Sequence, residues 1–337
     1  MRSSAVRMGG RGSVSVTRPV YHGFRMTGST PPPHGWKLPR TPRIAVVGAR
    51  GLVGEALLQV FKQRSFPHAG IQEVRVRDFI PDSVAEADLI ILAAPAALSL
   101  KWAKELSTGN RVVIDLSEAW RLDPTVPLIL SGLNLDTVNQ HQGLIASPNC
   151  TNGGLVRVLD VLRRKNALRR VVVTTFQAAS GGGRQLLSSV QDPDAPLHAN
   201  VIPHCDAFLA DGSTLEEERV ALESVRLLDA PDFEINATCV RVPVEVGHGL
   251  SVWVEAEQDF DLPQIRQQLD AQTDLFLSAD ENQYPTPQGI RGQEGVFLGR
   301  LRFGANAKQL QMWLVTDNLL TGAASNAADI AAALLPQ

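Results

Sequence analysis

The chain has 337 residues, which is long for one domain and sufficient for two. Its content of 44% hydrophobic and 20% charged residues is ordinary for a globular protein, and a net charge of −3 gives no reason to expect nucleic-acid binding. Three cysteines without paired spacing argue against a disulfide framework and predict a reducing, cytoplasmic location. The longest apolar stretch is too short to span a membrane.

Residues 1–42 differ in composition from the rest of the chain. Up to Arg43 there are seven arginines and no Asp or Glu, together with many Ser and Gly residues and three consecutive prolines. This composition predicts an N-terminal extension without a fold, or one that results from a start site placed too far upstream. The alternative is an organelle transit peptide, which is also rich in arginine and poor in acids.

A strand, a glycine turn and a helix are predicted at the start of the folded sequence. The apolar run IAVV follows Arg43, GARGLVG places Gly48, Gly51 and Gly54 three residues apart, and EALLQVFKQR has helical periodicity. Such a turn lets backbone N–H groups and a helix N-terminus approach a pyrophosphate. Because glycines also serve ordinary strand-to-helix turns, the spacing alone does not decide for dinucleotide binding.

Strands and helices then alternate as far as residue 149. Strands are predicted in EVRVRDF, ADLIILAAP, RVVIDLS and GLIAS, and a helix in LSLKWAKEL. This alternation predicts an α/β fold with a Rossmann-like parallel sheet and crossover helices. Ligands of such sheets bind beyond the carboxyl ends of the strands, where both the glycine turn and the later segment SPNC are expected.

Cys150 is predicted to lie between a strand and a helix, in SPNCTNGG. The Pro-Asn pair before it ends the strand, and the Thr-Asn pair after it offers caps for a helix that begins near Gly153. A helix N-terminus favours the thiolate, which is the reactive form of cysteine. The alternative is a buried structural cysteine, and this is our interpretation of Cys205 and Cys239, which lack such a polar context.

A nucleophilic thiol needs a proton carrier, and two of the seven histidines are candidates. His248 lies in TCVRVPVEVGHGLSVWVEAE, which has the pattern of two strands joined by a Gly-His-Gly turn that exposes the imidazole. The other candidate is His204, in VIPHCDAF. Spacing does not choose between them, and a solvent-exposed histidine without a catalytic role is the alternative for His248.

From about Arg43 to the C-terminus, the sequence resembles the aspartate-β-semialdehyde dehydrogenase family. The resemblance rests on eight blocks in the family's order: VVGARGLVGEALL, VVIDLSEAWRLDPTVPLILSGLN, SPNCT, TTFQAASGGG, NVIPHCDAF, TLEEERVALES, TCVRVPVEVGHG and DNLLTGAASNA. It implies a dinucleotide-binding domain at 43–149, completed by a C-terminal helix at 318–335, and an α+β catalytic and dimerisation domain at 150–317. It also implies a homodimer.

The resemblance further implies the residues of the site, and it decides for His248 over His204. The nucleophile, the acid/base and the glutamine that orients the substrate would be Cys150, His248 and Gln177. The substrate-binding residues would be Arg121 and Asn149 for phosphate, Arg241 for carboxylate, and Glu216 and Arg219 of the family's E-x-x-K motif. The cofactor-binding residues would be Gly48, Ala49, Arg50, Gly51, Leu52, Val53, Gly54, Ser180, Gly181 and Asn318. No metal site is predicted.

In the family's biosynthetic reaction, Cys150 would attack aspartyl phosphate and expel phosphate, leaving a thioester. NADPH would reduce the thioester, and His248 would handle the proton as aspartate semialdehyde forms, on the route to lysine, threonine and methionine. Arginines suit such a substrate because a planar guanidinium binds carboxylate or phosphate through two parallel hydrogen bonds. The implied cofactor is NADP.

Three departures from the family pattern leave alternatives open. Roughly two dozen residues are missing between the strands near Val74 and Leu89, where the family binds the 2′-phosphate of NADP, so NAD with Asp78 on a ribose hydroxyl is the alternative. Arg219 replaces the family lysine with a side chain of different reach and geometry. Arg50 stands where threonine is common in the glycine turn.

Two other functions remain possible from the sequence. The shortened cofactor region allows a family member that has lost catalysis and serves in binding or assembly. Retention of Cys150, Gln177, Arg241 and His248 argues against this alternative. The second is N-acetyl-γ-glutamyl-phosphate reductase, which shares the chemistry, although its cysteine motif usually reads GCYPT where this chain has PNCT.

Overall fold

The structure is a computed structural model that describes residues 36–280 and 282–336. Most of the predicted N-terminal extension, residues 1–35, lies outside the described residues. The rest of that segment packs on the fold, because Leu38 is buried and its N–H donates to the carbonyl of Leu334 at 2.9 Å. None of the helices in the described ranges has the length and apolarity needed to cross a bilayer.

The first sheet is parallel, and its five strands in the described residues are ordered β2-β1-β3-β4-β5. They are β1 (Arg43–Val47), β2 (Gly70–Val74), β3 (Leu89–Leu92), β4 (Val112–Asp115) and β5 (Leu144–Ala146). Helices α1 (Leu52–Gln63) and α2 (Ala96–Leu106) provide crossovers. Strands β3 and β4 are buried along their whole length, as expected for parallel strands covered on both faces. The predicted Rossmann-like sheet is confirmed.

The strand predicted in EVRVRDF is wrong in position, because β2 ends at Val74 where that segment has barely begun. Val74, the last residue of β2, pairs with Val47 of β1. The chain then forms short 3₁₀ turns at Val76–Asp78 and Pro81–Val84. The side chain of Arg75 pairs with Asp78 within the first turn. The usual doubly wound order has a further strand outside β2. In the described residues β2 is the sheet edge, so the dinucleotide half is shortened.

The second sheet is mixed, and its six strands in the described part of the chain are ordered β7-β6-β8-β11-β10-β9. The strands are β6 (Leu168–Gln177), β7 (Glu234–Arg241), β8 (His248–Ala256), β9 (Leu275–Leu277), β10 (Val296–Phe303) and β11 (Gln309–Thr316). The remaining helices are α3 (Cys150–Arg163), α4 (Gly183–Ser188), α5 (Leu215–Leu227), α6 (Leu262–Asp270), α7 (Pro287–Ile290) and α8 (Ser325–Ala333). Helix α3 is buried along almost its whole length and shares one apolar cluster with strands of both sheets.

The predicted hairpin around His248 is wrong. Strand β6 lies between β7 and β8, and it pairs parallel with β7 and antiparallel with β8. The chain must therefore pass the end of β6 before it enters β8, and Gly247 permits the change of direction with φ of 99°. As a consequence His248 is completely inaccessible to solvent instead of exposed.

The C-terminal segment returns to the first sheet. Residues Leu320–Ala324 form a π-helical turn that continues into α8. The small side chains of Ala327 and Ala331 belong to the same buried cluster as Leu57 and Phe61 of α1, so the two helices pack closely. The π-helical turn lies against the start of α3, which brings the C-terminal segment to Cys150.

Candidate active site

The carboxyl ends of β6 and β7 and the first residue of β8 meet at one edge of the second sheet. Gln177 and Arg241 are opposite each other in the parallel register of β6 and β7. His248 begins β8, the other neighbour of β6, and Cys150 reaches the same edge as the first residue of α3. Sheet register therefore brings together four residues that are far apart in the sequence.

A cavity of about 630 Å³ opens at this edge. The predicted site residues that line it are Val53, Arg121, Asn149, Cys150, Gln177, Ser180, Gly181, Glu216, Arg219, Arg241 and Asn318. His204 also lines the cavity, but its ring packs on Phe208 with 4.7 Å between ring centroids. The histidine in contact with the Cys150 sulfur is His248, which agrees with the choice implied by the family resemblance.

Cys150 and His248 form the central contact, with 3.4 Å between Sγ and Nε2. The backbone N–H of Ala178 donates to Nδ1 of the same ring at 3.1 Å. Since Nδ1 accepts this bond, the neutral imidazole carries its proton on Nε2, directed at the sulfur. A Cβ at Gly181 would lie 3.1 Å from the ring, so close backbone packing also holds the imidazole in place.

The prediction that Cys150 is a thiolate is wrong for the free protein. Burial raises the pKa of the Cys150 thiol to about 12, and the carboxylate of Glu216 adds to the rise against the opposing effect of Arg121 and Arg241. Burial likewise lowers the pKa of His248 to about 3, with a smaller contribution from Arg241. At pH 7 the pair is therefore a neutral thiol beside a neutral imidazole, because desolvation is the largest cause of both pKa shifts.

The free thiol is accordingly expected to be alkylated slowly by iodoacetamide at neutral pH. Because the reaction rate follows the thiolate fraction, we expect the rate at Cys150 to rise about tenfold per pH unit from pH 7 to pH 10. Mass spectrometry of the Cys150 peptide measures the rate, and C150A reports the background at the other cysteines. If the alkylation rate of Cys150 instead stopped rising below pH 9, the thiolate would already exist in the free protein.

The cap of α3 is Asn149, and the Thr-Asn pair predicted to cap the helix lies inside its first turn. Asn149 Oδ1 accepts from the N–H of Thr151 at 2.8 Å, so the helix begins at Cys150 instead of near Gly153. Asn149 Nδ2 donates to both carboxylate oxygens of Glu216, at 3.0 and 2.9 Å. The amide is thus engaged in the free structure, and its contact with phosphate stays a prediction.

Gln177 and Glu216 form a buried pair in the wall of the cavity. Gln177 is 2% exposed, and its Nε2 lies 2.9 Å from Glu216 Oε1 and 3.2 Å from the hydroxyl oxygen of Thr151. These contacts fix the orientation of the amide before any substrate binds. The carboxylate of Glu216 also gives the cavity an acceptor for a cationic group of a ligand.

Two guanidinium groups line the cavity together with Cys150. Arg121 is buried and donates from Nε to the carbonyl of Ser147 and from Nη2 to that of Leu116, both at 2.8 Å. Arg241 donates from Nη1 to the carbonyl of Ala178 at 2.7 Å. A guanidinium has five N–H donors in a fixed plane, so each side chain is oriented and keeps donors for an anion.

Arg219 lines the cavity but is paired with two acids. It forms ion pairs with Asp206 and, at 3.5 Å, with Glu118. The longer, forked guanidinium reaches both carboxylates at once, which a lysine ammonium is less suited to do. A substrate anion would have to compete with Asp206 and Glu118 for Arg219, so the role of this residue in substrate binding stays a prediction.

The glycine turn has the geometry that a dinucleotide requires. Gly48 has φ of 91°, and a Cβ there would lie 2.0 Å from the carbonyl oxygen of Ala93. A Cβ at Gly54 would lie 2.3 Å from the carbonyl oxygen of Gly48. No larger residue fits either position, so Gly48 permits the tight turn and Gly54 the close packing of α1 against it, the roles that the first and third glycines have in a dinucleotide-binding turn. The residues of the turn therefore fit a nicotinamide dinucleotide.

Asn318 and Ser180 form a buried polar pair at the cavity. Their side chains are buried and hydrogen-bonded to each other at 3.0 to 3.1 Å, and Asn318 Oδ1 accepts from the N–H of Gly247 at 2.9 Å. Both residues line the cavity that contains Cys150. The contact of Ser180 and Asn318 with the cofactor stays a prediction.

Among the residues beside Cys150 that were not predicted from the sequence are Gly322 and Glu223. A Cβ at Gly322 would lie 2.6 Å from Cβ of Cys150, so this glycine allows the π-helical turn to contact the thiol-bearing residue. Glu223 is fully buried and hydrogen-bonded to the backbone N–H of Asn149 at 2.6 Å. Its position seven residues after Glu216, two turns along one face if the segment is a helix, is the signal that could have revealed it.

Two family models match the chain. The NAD-binding domain of semialdehyde dehydrogenases matches residues 63–141, and the dimerisation domain of semialdehyde dehydrogenases matches residues 159–321. Together with a Rossmann-like sheet and a cysteine–histidine pair in a cavity lined by arginines, they place the chain among the semialdehyde dehydrogenases, which are oxidoreductases.

Comparison with individual proteins identifies the family within the semialdehyde dehydrogenases. Aspartate-semialdehyde dehydrogenase of Aquifex aeolicus is 32% identical over 334 residues, covering 88% of this chain and 98% of the relative. The enzyme of that name from Prochlorococcus marinus is 33% identical over 87% of this chain and 95% of its own. A crystal structure of Vibrio cholerae aspartate semialdehyde dehydrogenase II complexed with ASA superposes with a TM-score of 0.80 at 28% identity, covering 87% and 98%. The chain belongs to the aspartate-semialdehyde dehydrogenase family.

Proposed function

We propose that the chain catalyses the reductive dephosphorylation of L-aspartyl phosphate to L-aspartate semialdehyde, and the reverse oxidation in the presence of inorganic phosphate. The observation that carries this proposal is the contact of Cys150 with His248 beside a cavity lined by Arg121 and Arg241. It combines a thiol, a proton carrier and two cations for a doubly anionic substrate. The names of the relatives support the choice of substrate and a role in the biosynthesis of lysine, threonine and methionine.

The cavity lining offers a side chain of opposite charge to each charged group of the proposed substrate. Arg121 binds the phosphate and Arg241 the carboxylate, because both guanidinium groups are held by backbone carbonyls with donors to spare. Glu216 accepts a hydrogen bond from the ammonium group of the substrate. Gln177, already oriented by Glu216, holds the acyl group beside the sulfur.

In the acylation step Cys150 attacks the acyl carbon. The S–C bond forms, the C–O bond to phosphate breaks, and the thiol proton leaves with the phosphate, which departs as HPO₄²⁻. Because burial keeps the thiol protonated in the free site, its proton is transferred during the attack and not before it. The negative charge of the departing group is stabilised by Arg121.

The second proton transfer takes place between Nε2 of His248 and the substrate oxygen. As negative charge develops on the oxygen of the former carbonyl, Nε2–H is the donor that already lies at the sulfur. When the thiohemiacetal collapses to the aldehyde, its C–S bond breaks and the hydroxyl proton returns to Nε2. The sulfur leaves as a thiolate and takes up from solvent the one proton that the overall reduction consumes. The bound nicotinamide cofactor supplies the hydride in this direction and accepts it in reverse.

NADP is the proposed cofactor within the NAD(P) class. Arg50 and Arg75 lie where β2 ends, the place at which Rossmann-like folds bind the adenosine ribose. Each is paired with an acid, Arg50 with Glu73 at 3.1 Å and Arg75 with Asp78. These pairs are exposed and therefore weak, so a doubly charged 2′-phosphate competes well for the guanidinium groups.

A homodimer is proposed on the outer face of the second sheet. Side chains from β6, β8 and β11 leave an open groove there, lined by Val172, Phe176, Trp253 and Trp313 among others. The match of residues 159–321 to a dimerisation domain supports a second copy of the chain as the occupant of this face.

A cytoplasmic location is proposed as well. Cys150, Cys205 and Cys239 are all free thiols in the structure. A reducing compartment preserves such thiols, and the proposed mechanism requires one of them.

The proposed function is tested by supplying the purified protein with aspartate semialdehyde, inorganic phosphate and either NADP or NAD. We expect phosphate-dependent formation of reduced nicotinamide, with a higher kcat/KM for NADP than for NAD. The control reaction omits phosphate. Absence of turnover with both cofactors would overturn the proposal in favour of a binding or assembly role, and turnover of N-acetyl-γ-glutamyl semialdehyde alone would favour the related reductase.

A further inference from the structure

Glu223 is the least accessible carboxylate beside the site, with an exposed fraction of 0%. It lies on α5, two helical turns beyond Glu216, and its complete burial excludes contact with a ligand in the cavity. An acid without solvent needs strong partners, since an unpaired buried carboxylate is very costly. Its partners therefore indicate what this residue does.

Both oxygens of Glu223 accept hydrogen bonds from groups at the site. Oε2 accepts from the backbone N–H of Asn149 at 2.6 Å, immediately before Cys150, and lies 3.5 Å from Asn152 Nδ2. Oε1 accepts from Nη1 of Arg121 at 3.3 Å. One carboxylate thus connects the turn that carries the thiol to the guanidinium that is expected to bind phosphate.

Neither of the two main hydrogen-bond donors to Glu223 can act as an acceptor instead. A guanidinium and a backbone N–H only donate, so both oxygens of residue 223 must be acceptors. A glutamine at this position has one acceptor oxygen, and its NH₂ group would face either Arg121 or the N–H of Asn149. Glutamine has nearly the shape of glutamate, yet it must lose one of the two contacts and place two donors against each other.

From this arrangement we infer that Glu223 is a positioning residue. It fixes the position of the Arg121 guanidinium relative to the Asn149–Cys150 turn. It thereby sets the place of the phosphate relative to the sulfur. The inference rests on the proposed function, because it assigns phosphate to Arg121. The carbonyls of Ser147 and Leu116 accept one N–H each, from Nε and Nη2, and Glu223 accepts one from Nη1. One N–H on each Nη nitrogen therefore remains for the phosphate.

The test compares E223Q with E217Q. Glu217 lies on the same helix, and its two oxygens also accept from backbone N–H groups, of Thr214 at 2.8 Å and of Cys239 at 2.9 Å. Both variants therefore lose one of two carboxylate acceptors, at a half-buried position in E217Q and at a fully buried one in E223Q, and only E223Q loses it at the site. We expect E223Q to raise the KM for phosphate about tenfold or more and to lower kcat, with the KM for the cofactor unchanged. For E217Q we expect both KM values within about twofold of the parent.

A double-mutant cycle separates positioning from general destabilisation. If Glu223 acts through Arg121, the increase in phosphate KM caused by E223Q should largely disappear in an R121A background. Should E223Q fail to fold, E223D keeps two acceptors but withdraws them by one methylene, and it should raise the phosphate KM at least about threefold with the cofactor KM unchanged. An unchanged or lower phosphate KM in the folded variant would overturn the inference, as would equal effects of E223Q in both backgrounds.

A measurement without turnover keeps this inference separate from the proposed function. Inorganic phosphate that binds the folded state raises the Tm of the protein. We expect this rise in the parent and in E217Q, and a much smaller rise in E223Q. If the parent protein shows no turnover, the proposed function alone is overturned. If phosphate raises the Tm of the parent, E217Q and E223Q equally, the role of Glu223 is overturned.

Discussion

Substitution of Cys150 by alanine is expected to lower kcat/KM by about 10⁴-fold or more. The reason is that Cys150 is the cysteine whose sulfur contacts His248, whereas Cys239 is absent from the cavity lining and Cys205, which is part of it, is only 3% exposed. Folding should be little affected, because alanine keeps the Cβ that packs against Gly322. The measurement is phosphate-dependent formation of reduced nicotinamide by C150A, accompanied by its Tm.

The matched control for this substitution is C239A. Cys239 is a fully buried residue of β7 in the main apolar cluster, so its replacement removes a sulfur without touching the cavity. We expect its turnover to remain within about threefold of the parent, with a lower Tm. Turnover by C150A comparable to that of C239A would rule out the covalent mechanism.

Substitution of His248 by glutamine is expected to lower kcat by about 10²- to 10⁴-fold. Glutamine keeps a polar group near the sulfur but cannot exchange a proton at neutral pH. The imidazole of His248 is fully buried and in contact with Cys150, so solvent is poorly placed to substitute for it. The kcat and its pH profile are the quantities to measure in H248Q.

The comparison variant is H204Q. His204 also lines the cavity but packs on Phe208, and in the structure it is His248 that contacts the sulfur. We expect H204Q to retain kcat within about threefold of the parent. A larger loss in H204Q than in H248Q would transfer the acid/base role to the histidine that the sequence pattern left as the rival.

The sequence predicts well those features that depend on neighbouring residues. The glycine turn, the parallel strands and the position of Cys150 at a helix start follow from local spacing, and the structure has all three. The end of β2 was misplaced because the alternating pattern of EVRVRDF continues past Val74, where the strand leaves the ladder at the sheet edge. Alternation of residue types alone does not show where a neighbouring strand ends.

Features that depend on strand order or on burial could not be predicted from spacing. The burial of His248 follows from the insertion of β6 between β7 and β8, whereas adjacent strands in the sequence predicted a hairpin. The protonated state of Cys150 follows from desolvation in a cavity built by segments that are far apart in the chain. The role inferred for Glu223 depends on donors that lie 74 and 102 positions away in the chain.

The central claim is that the Cys150 sulfur forms a covalent acyl intermediate, and trapping that intermediate tests it most directly. Parent protein is mixed with aspartate semialdehyde and NADP in the absence of phosphate, quenched in acid, and digested for mass spectrometry. We predict about one reduced nicotinamide per site in a rapid first phase, with the acyl adduct on the Cys150 peptide. Full-rate turnover on adding phosphate without any adduct at Cys150, or an adduct on another residue, would contradict the account.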